Sequence, residues 1–147
     1  MKLLEFLNKI KMSDSKTFYD RYWKNKHMKC NISDGCPDWT PESFRYHFDF
    51  FKPFIGGRLL DFGCGEGKFL SFISEHCDSS CGVDICESVI EKAKKSYSGI
   101  KFLSLEHNGK LPFADGYFQT VCAMDVFEHI LDLESVLEEV NRVMSIG

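Results

Sequence analysis

The sequence predicts an α/β protein: a parallel sheet with helices on both of its faces. Three observations predict it. First, the apolar run Arg58-Leu59-Leu60-Asp61-Phe62 breaks at Gly63, Gly65 and Gly67, then passes into the helical pattern of Phe69, Leu70, Phe72 and Ile73. Second, stretches of strand and helix character alternate from there to residue 144, as in consecutive βαβ units. Third, Asp84 ends a second strand-like run 19 residues beyond Gly65. Nucleotide-binding βαβ units carry an acidic residue at about that distance to accept ribose hydroxyls.

The glycine turn is where a ligand would meet the sheet. Glycine suits it because the turn is tight and the ligand must approach bare backbone. Amides at the start of the next helix favour electron-rich ligand atoms. The spacing Asp61-x-Gly63-x-Gly65-x-Gly67 differs from the G-x-G-x-x-G turn that seats a pyrophosphate. A carboxylate at the strand end would repel a pyrophosphate and suits a ligand that carries an ammonium group. This disfavours a nicotinamide-dependent oxidoreductase. Taken alone, such a turn also serves as a plain tight turn.

A chain of 147 residues is enough for one domain with a real core. Its hydrophobic share of 44%, with 14 Phe, promises an aromatic-rich core. No apolar run approaches a membrane span, and the opening Met1 to Lys9 is too short and too charged for a signal peptide. A cytoplasmic location is the expectation. Seven Cys, an odd number with no C-x-x-C pair, read as buried reduced thiols rather than a metal site. The net charge of -4 argues against nucleic acid as a partner.

Taken in order, residues 2–12 place Leu3, Leu4, Leu7 and Ile10 at helical spacing. Residues 15–28 pair Phe18 with Tyr22 and Tyr19 with Trp23 at i and i+4. Residues 29–39 read as a loop, and Thr40-Pro41 as a helix start whose apolar face is Phe44, Phe48 and Phe51. Pro53 and Gly56-Gly57 end that helix, so residues 1–56 form an N-terminal helical segment and residues 57–147 the nucleotide-binding domain. After the glycine turn a helix is expected to about His76 and a strand over 80–84. Asp84 would take the ribose hydroxyls, being acceptor-only; the alternative is a helix N-cap, since Glu87 follows at capping-box spacing. Ile85 would then offer an apolar surface to one face of an adenine. A helix over 88–97, a strand over 100–103, a strand over 117–124 and a helix over 132–144 complete the pattern.

Three passages in this chain resemble the class I S-adenosylmethionine-dependent methyltransferases. They are Asp61-x-Gly63-Cys64-Gly65-x-Gly67; Glu106 to Val121, with Leu111-Pro112-Phe113 and Asp115-Gly116-Tyr117-Phe118 inside it; and Asp125-Val126-Phe127-Glu128-His129-Ile130. Gln119 departs from the family, which usually has Asp there. The resemblance implies a Rossmann-like sheet, and with the right-handed crossover rule it gives the strand order 3-2-1-4. It also implies S-adenosyl-L-methionine as cofactor and methyl transfer to a small-molecule acceptor. Asp61, Gly63, Cys64, Gly65, Gly67, Asp84 and Ile85 would bind the cofactor. So would Glu106 and His107 at the adenine, and Asp125 near the methionine part. Glu128 and His129 would face the substrate, where a catalytic base could sit; equally, they could cap and brace the following helix. The "YDRYW"-like segment with Tyr19, Tyr22 and Trp23 is similar to an aromatic lid found in relatives, and otherwise packs against the domain.

The resemblance runs to Gly147, short of the fifth strand of the complete fold. The fourth strand, Phe118 to Met124, would then present an open, apolar edge. A homodimer through that edge is the expectation, unless the N-terminal helices cover it. The rival to an enzyme is a non-catalytic cofactor-binding or interaction protein.

Overall fold

The computed structural model describes residue 45, residues 48–106 and residues 110–145. The expected helices over 2–12 and 15–28, the Thr40 cap and His107 lie outside the described residues.

Four parallel strands form one sheet in the order β3-β2-β1-β4. They are β1, Arg58–Phe62; β2, Ser79–Asp84; β3, Lys101–Ser104; and β4, Thr120–Cys122. Helix α1, Lys68–Ile73, leads into a 3-10 turn, Ser74–His76, and links β1 to β2. Helix α2, Glu87–Ser96, links β2 to β3, and α3, Leu133–Val143, follows β4. This is the predicted order, and each parallel neighbour is reached through a crossover.

The strand side chains alternate between two apolar layers, as a pleated strand requires. Leu59, Phe102, Phe69, Leu70, Ile73, Ile90 and Ala93 form one layer, which brings α1 and α2 onto one face. Leu60, Cys81, Val83, Leu111, Phe118, Val140 and Val143 form the other, with α3. On each face the short apolar stripe of a helix meets the strands, burying surface that water would otherwise contact. Asp61 falls on the same face as Leu59 and is only 3% exposed. Buried Phe48, Phe69, Phe102 and Phe118 give the core its aromatic character.

β4 is shorter than predicted. Its register with β1 runs only from Leu59↔Thr120 to Asp61↔Cys122. Phe118 turns its backbone the other way: its amide donates to Val143 O at 2.9 Å and its carbonyl accepts the Ser145 amide at 2.7 Å. Phe118 and Met144 thus form a parallel bridge on the outer side. The expected open edge from Phe118 is therefore closed at that residue. Gln119 Oε1 accepts the Arg58 amide at 2.8 Å, so this side chain caps the amino end of β1.

The 110–116 segment is tied to α3. Arg142 donates to the carbonyls of Phe113 and Leu111 at 2.9 and 3.0 Å. It also pairs with Asp115 and Glu139, each at 2.6 Å. Glu139 in turn accepts the Leu111 amide at 2.8 Å. Leu131, Leu133 and Leu137 are exposed near and along α3. No helix among the described residues is long and apolar enough to cross a membrane.

Candidate functional site

The carboxyl ends of β1, β2 and β4 converge, which is where open α/β sheets bind ligands. β1 delivers Asp61 and then enters the turn, where Gly63, Gly65 and Gly67 all have positive φ. Two of these positions also lack room for a side chain. A Cβ on Gly63, at φ +79°, would overlap Val126 Cγ2, and one on Gly67, at φ +76°, would come within 2.7 Å of the Phe102 ring. The amides of Gly63 and Cys64 both donate to Val83 O, at 2.8 and 3.0 Å, and fix the turn to β2. The Cys64 side chain lies over Gly82, where an added Cβ would meet its Sγ at 2.7 Å. Cys64 therefore faces the sheet with its thiol and leaves its backbone to the turn.

Asp84, at the end of β2, accepts the Gly65 amide through Oδ2 and the Cys86 amide through Oδ1, both at 2.9 Å. Burial raises its carboxyl above the ordinary value, while the amides of Cys86, Gly65 and Ile85 oppose that shift. The N-cap of α2 is Cys86, not Asp84, so the capping-box alternative does not describe this turn. Ile85 follows, half-buried. Glu106 lies exposed just past β3, whose next residue, Leu105, donates its amide to Asp84 O at 2.8 Å.

Asp61 stands between Gly82 on β2 and Cys122 on β4 in the ladder. Its Oδ2 is buried and has no hydrogen-bond partner among the described residues. Burial, and then the Asp84 carboxylate, push its carboxyl up to about 7. The nearby thiols are held neutral. Burial followed by the charges of Asp61 and Asp84 drives Cys64 upward, and burial with Asp61 and Cys77 moves Cys122 up to about 12. Neutral, apolar-packed thiols are poor nucleophiles and poor metal ligands.

Beyond β4, Asp125 is exposed and has φ +52°, a left-handed conformation uncommon outside glycine. It sets Val126 down on Gly63, so the loops after β1 and β4 touch. The 3-10 turn Phe127–His129 follows, with the Phe127 ring 6.4 Å from that of Phe62. Glu128 and His129 are exposed, with Oε1 and Nε2 4.0 Å apart. They do not cap α3: Asp132 does, accepting the Ser135 amide at 3.2 Å. The structure thus brings Asp61, the glycine turn, Asp84 and Ile85 together. It sets Asp125, Glu128 and His129 on the adjoining loop.

Residues 60–147 match a protein family described as a methyltransferase domain. The chain belongs to the methyltransferase domain family. This methyltransferase domain is similar to the ubiquinone/menaquinone biosynthesis C-methyltransferase of Desulfotalea psychrophila, 33% identical over 95 residues, covering 62% of this chain and 38% of that protein. It is similar to an O-methyltransferase of Aspergillus sclerotiorum, 30% identical over 98 residues, covering 63% of this chain and 37% of that protein. The chain therefore spans 38% and 37% of the lengths of these two relatives. Among solved structures, an S-adenosylmethionine dependent methyltransferase from Mesorhizobium loti matches its fold with TM-score 0.60 at 24% identity, covering 78% of this chain and 51% of that one. The cyclase SpnF matches with TM-score 0.65 at 22% identity, covering 78% and 46%.

Family membership implies S-adenosylmethionine as the cofactor. The residues present fit it. Side chains at Gly63 and Gly67 would not fit, the buried Asp61 oxygen lacks, among the described residues, a partner that an ammonium group could supply, and Asp84 keeps acceptor capacity beyond its amides.

Sequence reasoning missed two features of the site. Val126 as the cover of Gly63 had no signal beyond its place after Asp125. The Glu139 and Arg142 pair had one signal, an acid and a base at i and i+3 on the last helix.

Proposed function

We propose that this chain binds S-adenosylmethionine in its glycine turn and that the protein transfers the methyl group to a small-molecule acceptor. The observation that supports this best is Asp61, a buried carboxyl with an oxygen unpartnered among the described residues, at the foot of a turn of three positive-φ glycines. Bound there, the cofactor supplies an electrophilic methyl group on a sulfonium.

The protein's part is binding and alignment. Asp61, with the backbone of Gly63, Cys64, Gly65 and Gly67, holds the amino acid end. Asp84 accepts the ribose hydroxyls, Ile85 packs on the adenine, and Glu106 with His107 recognises its edge. Asp125 approaches the methionine part from the loop after β4. Glu128 or His129 takes a proton from an acceptor that must lose one early. The protein is placed in the cytoplasm, without nucleic acid or membrane as partner. A dimer through the outer edge of β4 at Thr120–Cys122 completes the reading, and a monomer in sedimentation at roughly tens of micromolar would reject it.

Calorimetry with S-adenosylhomocysteine and with NAD tests the cofactor. Binding of the first and not the second supports the reading, and the reverse overturns it. Transfer of a labelled methyl group across a panel of small hydroxyl, thiol and carbon acids tests the reaction. A second reading, cofactor binding without methyl transfer, draws on the likeness to SpnF, a protein named for a different reaction. Tight cofactor binding with no transfer to any acceptor would favour it.

A further inference from the structure

Two carboxyl groups, Asp61 and Asp84, stand at the ends of neighbouring strands on the same face of the sheet. Their surroundings differ. Both oxygens of Asp84 accept backbone amides, at 2.9 Å each, so its charge is compensated. Asp61 Oδ2 is buried and accepts nothing from the described residues. Among the described residues, the titratable groups that face Asp61 give it no help either. They are Asp84 from β2, Cys64 from the glycine turn and Cys122 from β4. α1 and α2 add apolar Phe69, Leu70, Ile73, Ile90 and Ala93 on this face. Of their cations, Lys68 and Lys92 are exposed and pair instead with Glu66, at 3.7 and 3.2 Å, Lys94 is exposed and pairs with Glu91 at 3.1 Å, and Lys95 is exposed. Of two close carboxyls, the one with hydrogen-bond donors takes the charge and the one without keeps the proton.

We propose that cofactor binding at this site is coupled to the loss of one proton from Asp61. The inference rests on the cofactor reading given above. The O–H bond of the Asp61 carboxyl breaks, its proton passes to solvent, and the carboxylate left behind faces the ammonium group of the ligand. That ammonium keeps its own protons. The buried oxygen gains the partner it lacks, and the ligand gains a counter-ion in place of water. In the ligand-free chain, burial and the Asp84 charge hold the Asp61 carboxyl at about 7, so the exchange falls in the neutral range. Ligands without the amino group would bind without releasing this proton. Asp61 thereby sets both the selectivity of the turn and its pH dependence.

Calorimetry of S-adenosylhomocysteine with the full chain, in buffers of different ionisation enthalpy, counts the protons exchanged. The expected result is release of close to one proton at about pH 6, falling toward none at about pH 8, with Kd about tenfold tighter at the higher pH. Asp61→Asn, measured alongside, should abolish the release and flatten the profile; this also separates Asp61 from the ligand's own amino group. Binding with no proton release across that range overturns the coupling and leaves the cofactor reading standing. No binding heat in any buffer overturns the cofactor reading, and the coupling with it. Carbon NMR of the ligand-free chain gives an independent check. An Asp61 carboxyl titrating near 7, absent from Asp61→Asn, supports the coupling, and one titrating in the ordinary carboxylate range overturns it.

Discussion

The Asp84 carboxylate holds the Gly65 amide at 2.9 Å across 19 residues of sequence, joining the end of β2 to the turn that ends β1. A second amide, that of Cys86, sits on its other oxygen at the same distance. One side chain thus shapes the turn and also faces the place proposed for the ribose. A loss at this position should be felt in folding and in binding together.

Asp84→Ala is expected to weaken S-adenosylhomocysteine binding by roughly 1–3 kcal/mol and to lower stability by a similar amount, because two amides lose a charged acceptor. Asp84→Asn retains one acceptor oxygen and should fall between. Calorimetry and urea unfolding of the three chains check this. Unchanged affinity in Asp84→Ala would remove Asp84 from the cofactor site.

Gly63→Ala combines a left-handed φ of +79° with a Cβ that overlaps Val126. The backbone strain alone costs roughly 1–2 kcal/mol, and displacing Val126 would open the loop that carries Asp125. Gly56 has nothing within 4 Å of an added Cβ and no positive φ. Gly56→Ala should therefore be neutral or stabilising, by about 0.4–1 kcal/mol. Thermal unfolding of the pair, with cofactor binding of each, distinguishes a turn built for glycine from a merely tolerant one.

Asp61 carries a stability signature of its own. Its folded-state carboxyl lies at about 7, above the usual 3.8, so the folded chain holds a proton that the unfolded chain gives up between these values. The contribution is fully present below the unfolded value and is lost as pH rises through the folded one. Asp61→Asn removes that loss. The ligand-free variant should exceed the native chain in stability by on the order of a few kcal/mol at about pH 8, with the difference shrinking toward about pH 4. Denaturation at both pH values measures it; equal stability at the higher pH would show that Asp61 pays no burial cost.

The Glu139 carboxyl shifts the opposite way. The Arg142 hydrogen bond first, helped by the Leu111 amide, lowers it from 4.5 to about 2, against the effect of burial. Its contribution is present above the unfolded value and is lost as pH falls from 4.5 toward 2. Glu139→Gln should cost about 1–2 kcal/mol at neutral pH and little in strong acid. Arg142→Met should release the carbonyls of Leu111 and Phe113 and loosen the segment beside Glu106. Acid unfolding and hydrogen exchange of the 110–116 amides check the two effects.

How far the sequence could be read depended on the range of the interaction. Strands β1 and β2, the glycine turn and α2 were legible because their signals are local: an apolar run, alternate glycines, an acidic strand end, helical spacing of Val89, Ile90 and Ala93. The end of β4 was not. Phe118 pairs outward with Met144, and Gln119 sets its side chain on the Arg58 amide, contacts that span 26 and 61 residues. The same limit hid Val126 over Gly63 and the Arg142 network around Leu111. The direction of the Cys64 side chain had no local signal: its thiol packs over Gly82, a choice made by the neighbouring strand, while its backbone stays in the turn.

Glu128 and His129 separate the enzyme reading from the binding reading. Both are exposed in a 3-10 turn, and the capping of α3 falls to Asp132 instead. Surface substitutions away from caps and cores usually change stability by less than about 0.5 kcal/mol. His129→Ala and Glu128→Gln should therefore leave unfolding nearly unchanged. Cofactor affinity should also hold, because neither side chain belongs to the turn that would seat the methionine or ribose. A base acting on the acceptor would show in turnover alone, with a fall of roughly 10²–10⁴-fold at saturating cofactor. Full turnover in both variants would mean that the acceptor arrives already able to attack, and that this loop only borders the site.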